Sequence, residues 1–160
     1  MKKLYLVRHA DAEPSRLSGG DFDRALTTYG RQHAASLALK LKQMNISPDL
    51  IISSDAKRAQ ETAQILTEIL SYKRAILFEN KIYHIDEKRL SDFLMMTDSK
   101  INSLLLVGHN PTLSSFAHSQ ALKASYSMQP ASAIGLHYSV KHWSDLSPRS
   151  CTFQFYECLS

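Results

Sequence analysis

The chain of 160 residues carries 19 Lys and Arg against 15 Asp and Glu, with seven His, two Cys and a net charge of +4. At 44% hydrophobic and 21% charged it has a globular composition, and the length suits a single domain, residues 1–160, whose core needs no disulfide staples. The longest strictly apolar run, Leu104 to Val107, is far short of the ~20 residues of a membrane span.

In chain order, Leu4-Tyr5-Leu6-Val7 reads as a buried strand ending at Arg8-His9. A polar loop with Pro14, Gly19 and Gly20 follows. Ala34, Leu37, Ala38, Leu41 and Met44 then recur at three- and four-residue spacing, which predicts a helix from Thr28 to Met44. Ser47-Pro48 breaks it, and Asp49 to Ile52 reads as a second strand. Ser54 or Asp55 is positioned to cap a second helix with the stripe Ala59, Ala63, Leu66, Leu70. Ala75 to Phe78 is a third strand, Glu87 to Met96 a third helix, and Leu104 to Val107 a fourth strand ending at Gly108-His109. Asn110-Pro111 offers an N-cap and a pre-set first helical residue for a helix reaching Leu122. Ile134 to Val140 and Thr152 to Tyr156 read as further strands, and Trp143, Phe153, Phe155 and Tyr156 as core rather than interface. Strands alternating with helices predict an α/β fold, three-layered α/β/α around a mainly parallel central sheet.

The cations are scattered as pairs such as Lys57-Arg58 and Lys88-Arg89, which makes a solvated face and not a nucleic-acid track. His137 and His142 lack partners at ligand spacing, so no metal site is expected. Only four apolar residues separate Lys2-Lys3 from Arg8, too few for a secretory signal. With Cys151 and Cys158 in no ligand spacing, this points to reduced thiols in the cytoplasm.

In a sheet of this kind the ligand site lies beyond the carboxyl ends of the strands. Arg8-His9 ends one strand, Arg58 opens the helix after another, and Gly108-His109 ends a third. A parallel sheet therefore brings two arginines and two histidines to one rim, beside helix N-termini with oriented N–H donors. Arginine offers a planar fork matched to phosphate oxygens, and imidazole can act as nucleophile or hydrogen-bond donor. Together they suit a transferring phosphoryl group. Singly, each has a plainer role: a strand-end histidine is usually structural, and Arg58 alone would pair with Glu61 or Asp55.

Four motifs carry a family resemblance. Arg8-His9-Ala10 resembles the Arg-His-Gly signature of the histidine phosphatase superfamily, to which cofactor-dependent phosphoglycerate mutases belong. Ser53 to Ala63, with Arg58-Ala59 before Thr62-Ala63, resembles its second motif. Gly108-His109-Asn110-Pro111 resembles the third, in the form found in small phosphohistidine phosphatases of the SixA type. Asp21-x-x-Arg24-x-Leu26-Thr27-x-x-Gly30 resembles a segment of that same branch.

The resemblance implies a phosphoglycerate mutase-like fold, His9 as nucleophile, and Arg8, Arg58 and His109 as the phosphate clamp. Water would then hydrolyse the phosphohistidine intermediate, with no cofactor or metal. The implied partner is a phosphorylated protein carrying phosphohistidine, or else a small phosphorylated substrate; a weak phosphate-binding module is the third reading. Two departures stand out. Ala10 replaces the usual glycine, and the family's general acid has no clear counterpart among Glu79, Asp11, Asp21 and His84. Only 16 residues separate Leu70 from Glu87, whereas the resemblance implies extra helical material in mutases; this disfavours a mutase.

Overall fold

A computed structural model describes residues 1–15 and 19–159. The loop read from Pro14 to Gly20 includes residues 16–18, which lie outside the described residues. Strand β1 (Lys2–Arg8) is central, parallel to β4 (Ser103–Gly108) on one side and antiparallel to β5 (Ser132–Tyr138) on the other. Beyond β4 lie β2 (Leu50–Ser54) and β3 (Leu77–Glu79), both parallel, and beyond β5 lies the antiparallel β6 (Cys151–Cys158). The order is β3-β2-β4-β1-β5-β6.

The unbroken apolar strands are explained by burial on both faces. Leu4, Leu6, Leu104 and Leu106 point to one side, where they meet Leu90 and Leu94 of α3 (Glu87–Met95), Phe116 of α4 (Thr112–Gln120) and Trp143. Their neighbours Tyr5, Val7, Leu105 and Val107 point to the other, against Leu37 and Leu41 of α1 (Thr28–Gln43) and Ala63 and Leu66 of α2 (Lys57–Ile69). This is the three-layer α/β/α architecture, with period-2 alternation feeding two separate cores. Each fully buried leucine contributes about 1.5–3 kcal/mol. Among the described residues, no helix is long and apolar enough to cross a membrane.

Several sequence-based bounds are corrected. β3 begins at Leu77, two residues late, because it is a sheet edge: Leu77 and Phe78 stay exposed, so burial does not extend it. Neither Ser54 nor Asp55 caps α2, whose first flanking residue is Ala56; Ser54 Oγ instead accepts from Ala56 N. α4 starts at Thr112, with Asn110 Oδ1 accepting from Ser114 N and Oγ, and it ends at Gln120. The C-terminal aromatics divide. Trp143 is fully buried with Nε1 donating to Ile101 O, and Phe155 stacks on Tyr5, but Tyr156 stacks on the exposed Tyr126. Cys151 and Cys158 close opposite ends of β6; at ~3.3 Å per residue they stand about 23 Å apart, too far to bridge.

At the other end of the sheet, Lys2 is buried, its Nζ donating to Ser99 O, Ile101 O and Asn102 Oδ1. A different kind of close packing shapes the end of the sheet where β1 finishes. Thr27 caps α1 by accepting from Gly30 N, and Thr27 Oγ1 donates to Asp11 Oδ2. Gly30 lies so near the loop after β1 that a Cβ would overlap the Asp11 carbonyl oxygen. Gly→Ala inside a helix ordinarily stabilises by about 0.5–1 kcal/mol. Here Gly30→Ala reverses that sign, costing about 1–3 kcal/mol as overpacking; urea unfolding measures it, and an equal or more stable variant contradicts the packing account.

Candidate active site

The rim at the carboxyl ends of β1, β4 and β2 collects all four sequence-predicted residues. Arg8 is in register with Gly108, so His9 and His109 follow neighbouring parallel strands, and their ring centroids lie 5.1 Å apart. Backbone bonds fix His9 on both sides: its N–H donates to Gly108 O, and its carbonyl accepts from Ala131 N. Ala10 follows, fully buried, its N–H donating to Thr62 Oγ1, which itself donates to Arg58 O. Ala10 is not among the positive-φ residues, so the position does not demand the glycine of the family signature.

Arg58 enters between the two rings from the first turn of α2 and is 6% exposed. Its Nε donates to His9 Nε2 at 3.2 Å, and its Nη2 lies 3.5 Å from His109 Nδ1. The partners assign the tautomers. A carbonyl only accepts, so His9 Nδ1, 2.8 Å from Ala10 O, carries the proton and Nε2 presents the lone pair. By the same logic His109 Nδ1 accepts from Arg58, and its Nε2–H donates to Ser54 Oγ at 2.8 Å. Burial, opposed by the Ala10 hydrogen bond and aided by Arg58, Arg8 and Arg24, pushes His9 down to about 4. Burial, then the charges of His9 and Arg58, push His109 down to about 3. Both imidazoles are neutral at working pH.

Arg8 approaches from the β1 end. Its Nη1 donates to Met128 O at 2.7 Å, a carbonyl shared with Asn110 Nδ2. Its Nε is buried with no partner, a rare state for a guanidinium donor and one that an incoming oxyanion would relieve. The amide donors at the helix ends are partly occupied: Lys57 N, at the start of α2, donates to Phe22 O.

Arg58 does not pair with Glu61 or Asp55. Glu61 bonds Leu26 N and Arg31. The partner is Asp21, 37 residues away in sequence, whose carbonyl and Oδ2 accept from Nη1 and Nη2. Tyr83 closes this side: its hydroxyl donates to Asp21 Oδ2, its ring edge meets His109 at 5.5 Å, and Arg58 sits 5.7 Å over its face. Tyr83, Ser54 and Thr62 were not singled out as site residues in the sequence, although Ser54 and Thr62 both fall within the second motif; Tyr83 had no signal.

Of the four general-acid candidates only Asp21 bonds to this cluster. The Tyr83 hydroxyl, then Arg24 and Arg58, hold its carboxyl down at about 2 against partial desolvation, so it is ionised and has no proton to give at neutral pH. Asp11 is turned to Thr27, Glu79 ends β3 in register with Ser54 on the neighbouring strand, and His84 is exposed against Tyr83. Among the described residues, no three His, Cys, Asp or Glu side chains group as metal ligands.

The family model for branch 1 of the histidine phosphatase superfamily matches residues 4–81, which include Arg8-His9 and Arg58. Residues 4–81 thus carry the likeness to the histidine phosphatase superfamily. The Escherichia coli protein named probable phosphoglycerate mutase GpmB is 33% identical over 100 residues, covering 59% of this chain and 45% of that one. An Agrobacterium tumefaciens structure assigned to the phosphohistidine phosphatase SixA superposes with a TM-score of 0.84 at 24% identity, covering 99% of each chain. The protein histidine phosphatase SixA complexed with tungstate gives 0.80 at 18% identity, covering 96% of this chain and 95% of that one. These structural likenesses establish the phosphoglycerate mutase-like fold. The chain spans about half the length of the curated relatives it matches.

The low pKa values set a measurable pattern. An NMR titration should show two imidazoles, His9 and His109, still neutral at pH 5 and titrating near 4 and 3; protonation of both near the ordinary 6.5 contradicts the assigned burial and charge. Because folding depresses both values, their stabilising contribution is complete above 6.5 and is lost as pH falls toward 4 and 3.

Proposed function

We propose that this chain is a phosphatase that passes a phosphoryl group through His9 to water, and that its substrate is phosphohistidine on a protein. The observation that carries the reading is the donor set around one lone pair. His9 Nε2 is unprotonated and accepts from the buried Arg58, the His109 ring lies 5.1 Å away, and the neighbouring Arg8 holds an unused Nε–H.

In the first step His9 Nε2 attacks phosphorus. Its lone pair forms the P–N bond as the bond to the leaving group breaks and that electron pair departs with it. Arg58 Nε–H releases Nε2 and turns to a phosphoryl oxygen, Arg8 Nε–H takes another, and His109, whose Nδ1 carries no proton, serves by holding Arg58 Nη2 in place. Charge is thereby held on the equatorial oxygens, the main requirement of phosphoryl transfer. In the second step water attacks phosphorus, the P–N bond breaks, its electron pair returns to Nε2, and phosphate leaves. These steps use no metal or organic cofactor.

The leaving group decides the substrate. An alkoxide needs a proton from a positioned acid, an effect worth ~10²–10⁴-fold, and Asp21 is ionised and engaged. A phosphohistidine protonated on its second ring nitrogen departs as neutral imidazole, the P–N electron pair going to the ring, and needs no proton from the enzyme. A small phosphate monoester is the alternative substrate, favoured by the likeness to a protein named as a phosphoglycerate mutase. The two cysteines, held apart on β6, fit a reducing compartment, and we place the protein in the cytoplasm.

Incubation with a radiolabelled phosphoryl donor and acid-free quenching should leave label on His9, absent from His9→Ala. Turnover without label on His9, or undiminished in that variant, refutes the nucleophile. For the leaving group, kcat/KM on a phosphohistidine peptide should exceed that on an alkyl phosphate by ~10²-fold or more; equal or faster alkyl hydrolysis removes the P–N preference.

A further inference from the structure

A groove of about 390 Å³ runs beside the site on the far side of Tyr83. Its apolar lining is Ile85, Phe93 and Met96, its cations are Lys81 and Arg89, and His84 and one acid, Asp92, complete it. The groove and the site share a wall. The His84 ring lies 4.0 Å from that of Tyr83, which in turn edges onto His109. Ile85 O accepts from Thr112 Oγ1 at 2.7 Å, which pins this wall to the start of α4, just beyond His109.

Two features of the groove have no use in the phosphoryl chemistry. Met96 is 85% exposed at the end of α3, a large apolar side chain left in water beside other apolar groups. Arg89 has only a loose partner, Asp86 at 3.9 Å, with both side chains mostly exposed. Asp92 and Asp86 match Lys81 and Arg89 in number, but Arg89 is held only by that loose contact, so two loosely held cations flank an apolar floor.

We propose that this groove docks the polypeptide that carries the phosphoryl group: a segment with acidic side chains for Lys81 and Arg89 and one large apolar side chain for the floor formed by Ile85, Phe93 and Met96. The inference rests on the phosphatase reading and specifies its substrate. A small leaving group sits within a few bonds of phosphorus and gains nothing from a groove beyond Tyr83, whereas a protein substrate reaches it while its phosphorylated side chain enters the site. Contacts so far from the reacting atoms supply binding energy without touching the chemistry.

The test uses the full chain and two peptides of equal length with a stable phosphohistidine analogue, one flanked by acidic and apolar residues and one by basic residues. Fluorescence polarisation should show the acidic peptide binding at least about tenfold more tightly. The charge-reversed variant Lys81→Glu/Arg89→Glu should abolish that preference, and Met96→Asp should weaken the acidic peptide alone. Hydrolysis of a small aryl phosphate should stay within twofold of the parent in all variants, which shows that fold and site are intact. Equal binding of both peptides by the parent, or a preference that survives charge reversal, overturns the docking site. Self-association that the same variants abolish assigns the groove to a second copy and overturns it too. Loss of aryl phosphate hydrolysis in the parent, with the peptide preference intact, counts against the phosphatase reading and leaves the groove standing.

Discussion

A guanidinium held between two imidazoles in a nearly dry pocket orders everything around it. Arg58 cannot lose its charge, so burial is tolerable only if its donors are occupied, and they are: His9, His109 and two oxygens of Asp21 accept from it. Each contact also sets the state of its partner. The bond to His9 requires a bare Nε2, the approach to His109 requires a bare Nδ1, and the charge disfavours a proton on either ring. A buried ion of this kind does little for stability. Its value lies in having the His9 Nε2 lone pair bare and fixed in place before any ligand arrives, so that little reorganisation is needed there.

The chain reaches that arrangement through supports of very different sequence separation. Thr62 receives Ala10 N and donates to Arg58 O, joining the loop after β1 to the first turn of α2 with one hydroxyl. Gly30 lets α1 press on the same loop from beneath. Met128 O draws Arg8 and Asn110 together from the segment before β5. The motifs that look separate along the chain are thus mechanical parts of one rim.

What was legible in the sequence follows from how strongly burial writes itself there. β1 and β4 are covered on both faces, so Leu4 to Val7 and Leu104 to Val107 stand out as apolar runs, and the residues ending them mark the rim. Arg58 could be placed because its helix follows such a strand directly. β3 was misplaced by two residues because an exposed edge leaves no such imprint, and its Ala75-Ile76 looked as strand-like as Leu77-Phe78. Asp21 and Tyr83 were beyond reach as partners of Arg58. They lie in polar connections with no periodicity, and they meet only because the sheet order brings loops 62 residues apart to one edge. Lys2, apparently an ordinary surface cation, is caged by three acceptors at the opposite end of the sheet, which no local pattern announces.

The antiparallel pair at the end of the sheet has a practical side. Because β5 and β6 each reverse direction, Cys158 is in register with Ser132, and Ser132 with Arg8. The last residues of β6 therefore emerge on the rim that carries Arg8, two strands away from it, while the first residues of β1 lie at the opposite end beside the caged Lys2. An affinity tag or fused reporter joined behind β6 would crowd the mouth of the site, and one joined ahead of β1 would stay clear of it but would lean on the cage around Lys2. A short flexible spacer ahead of β1 is the arrangement that respects both ends.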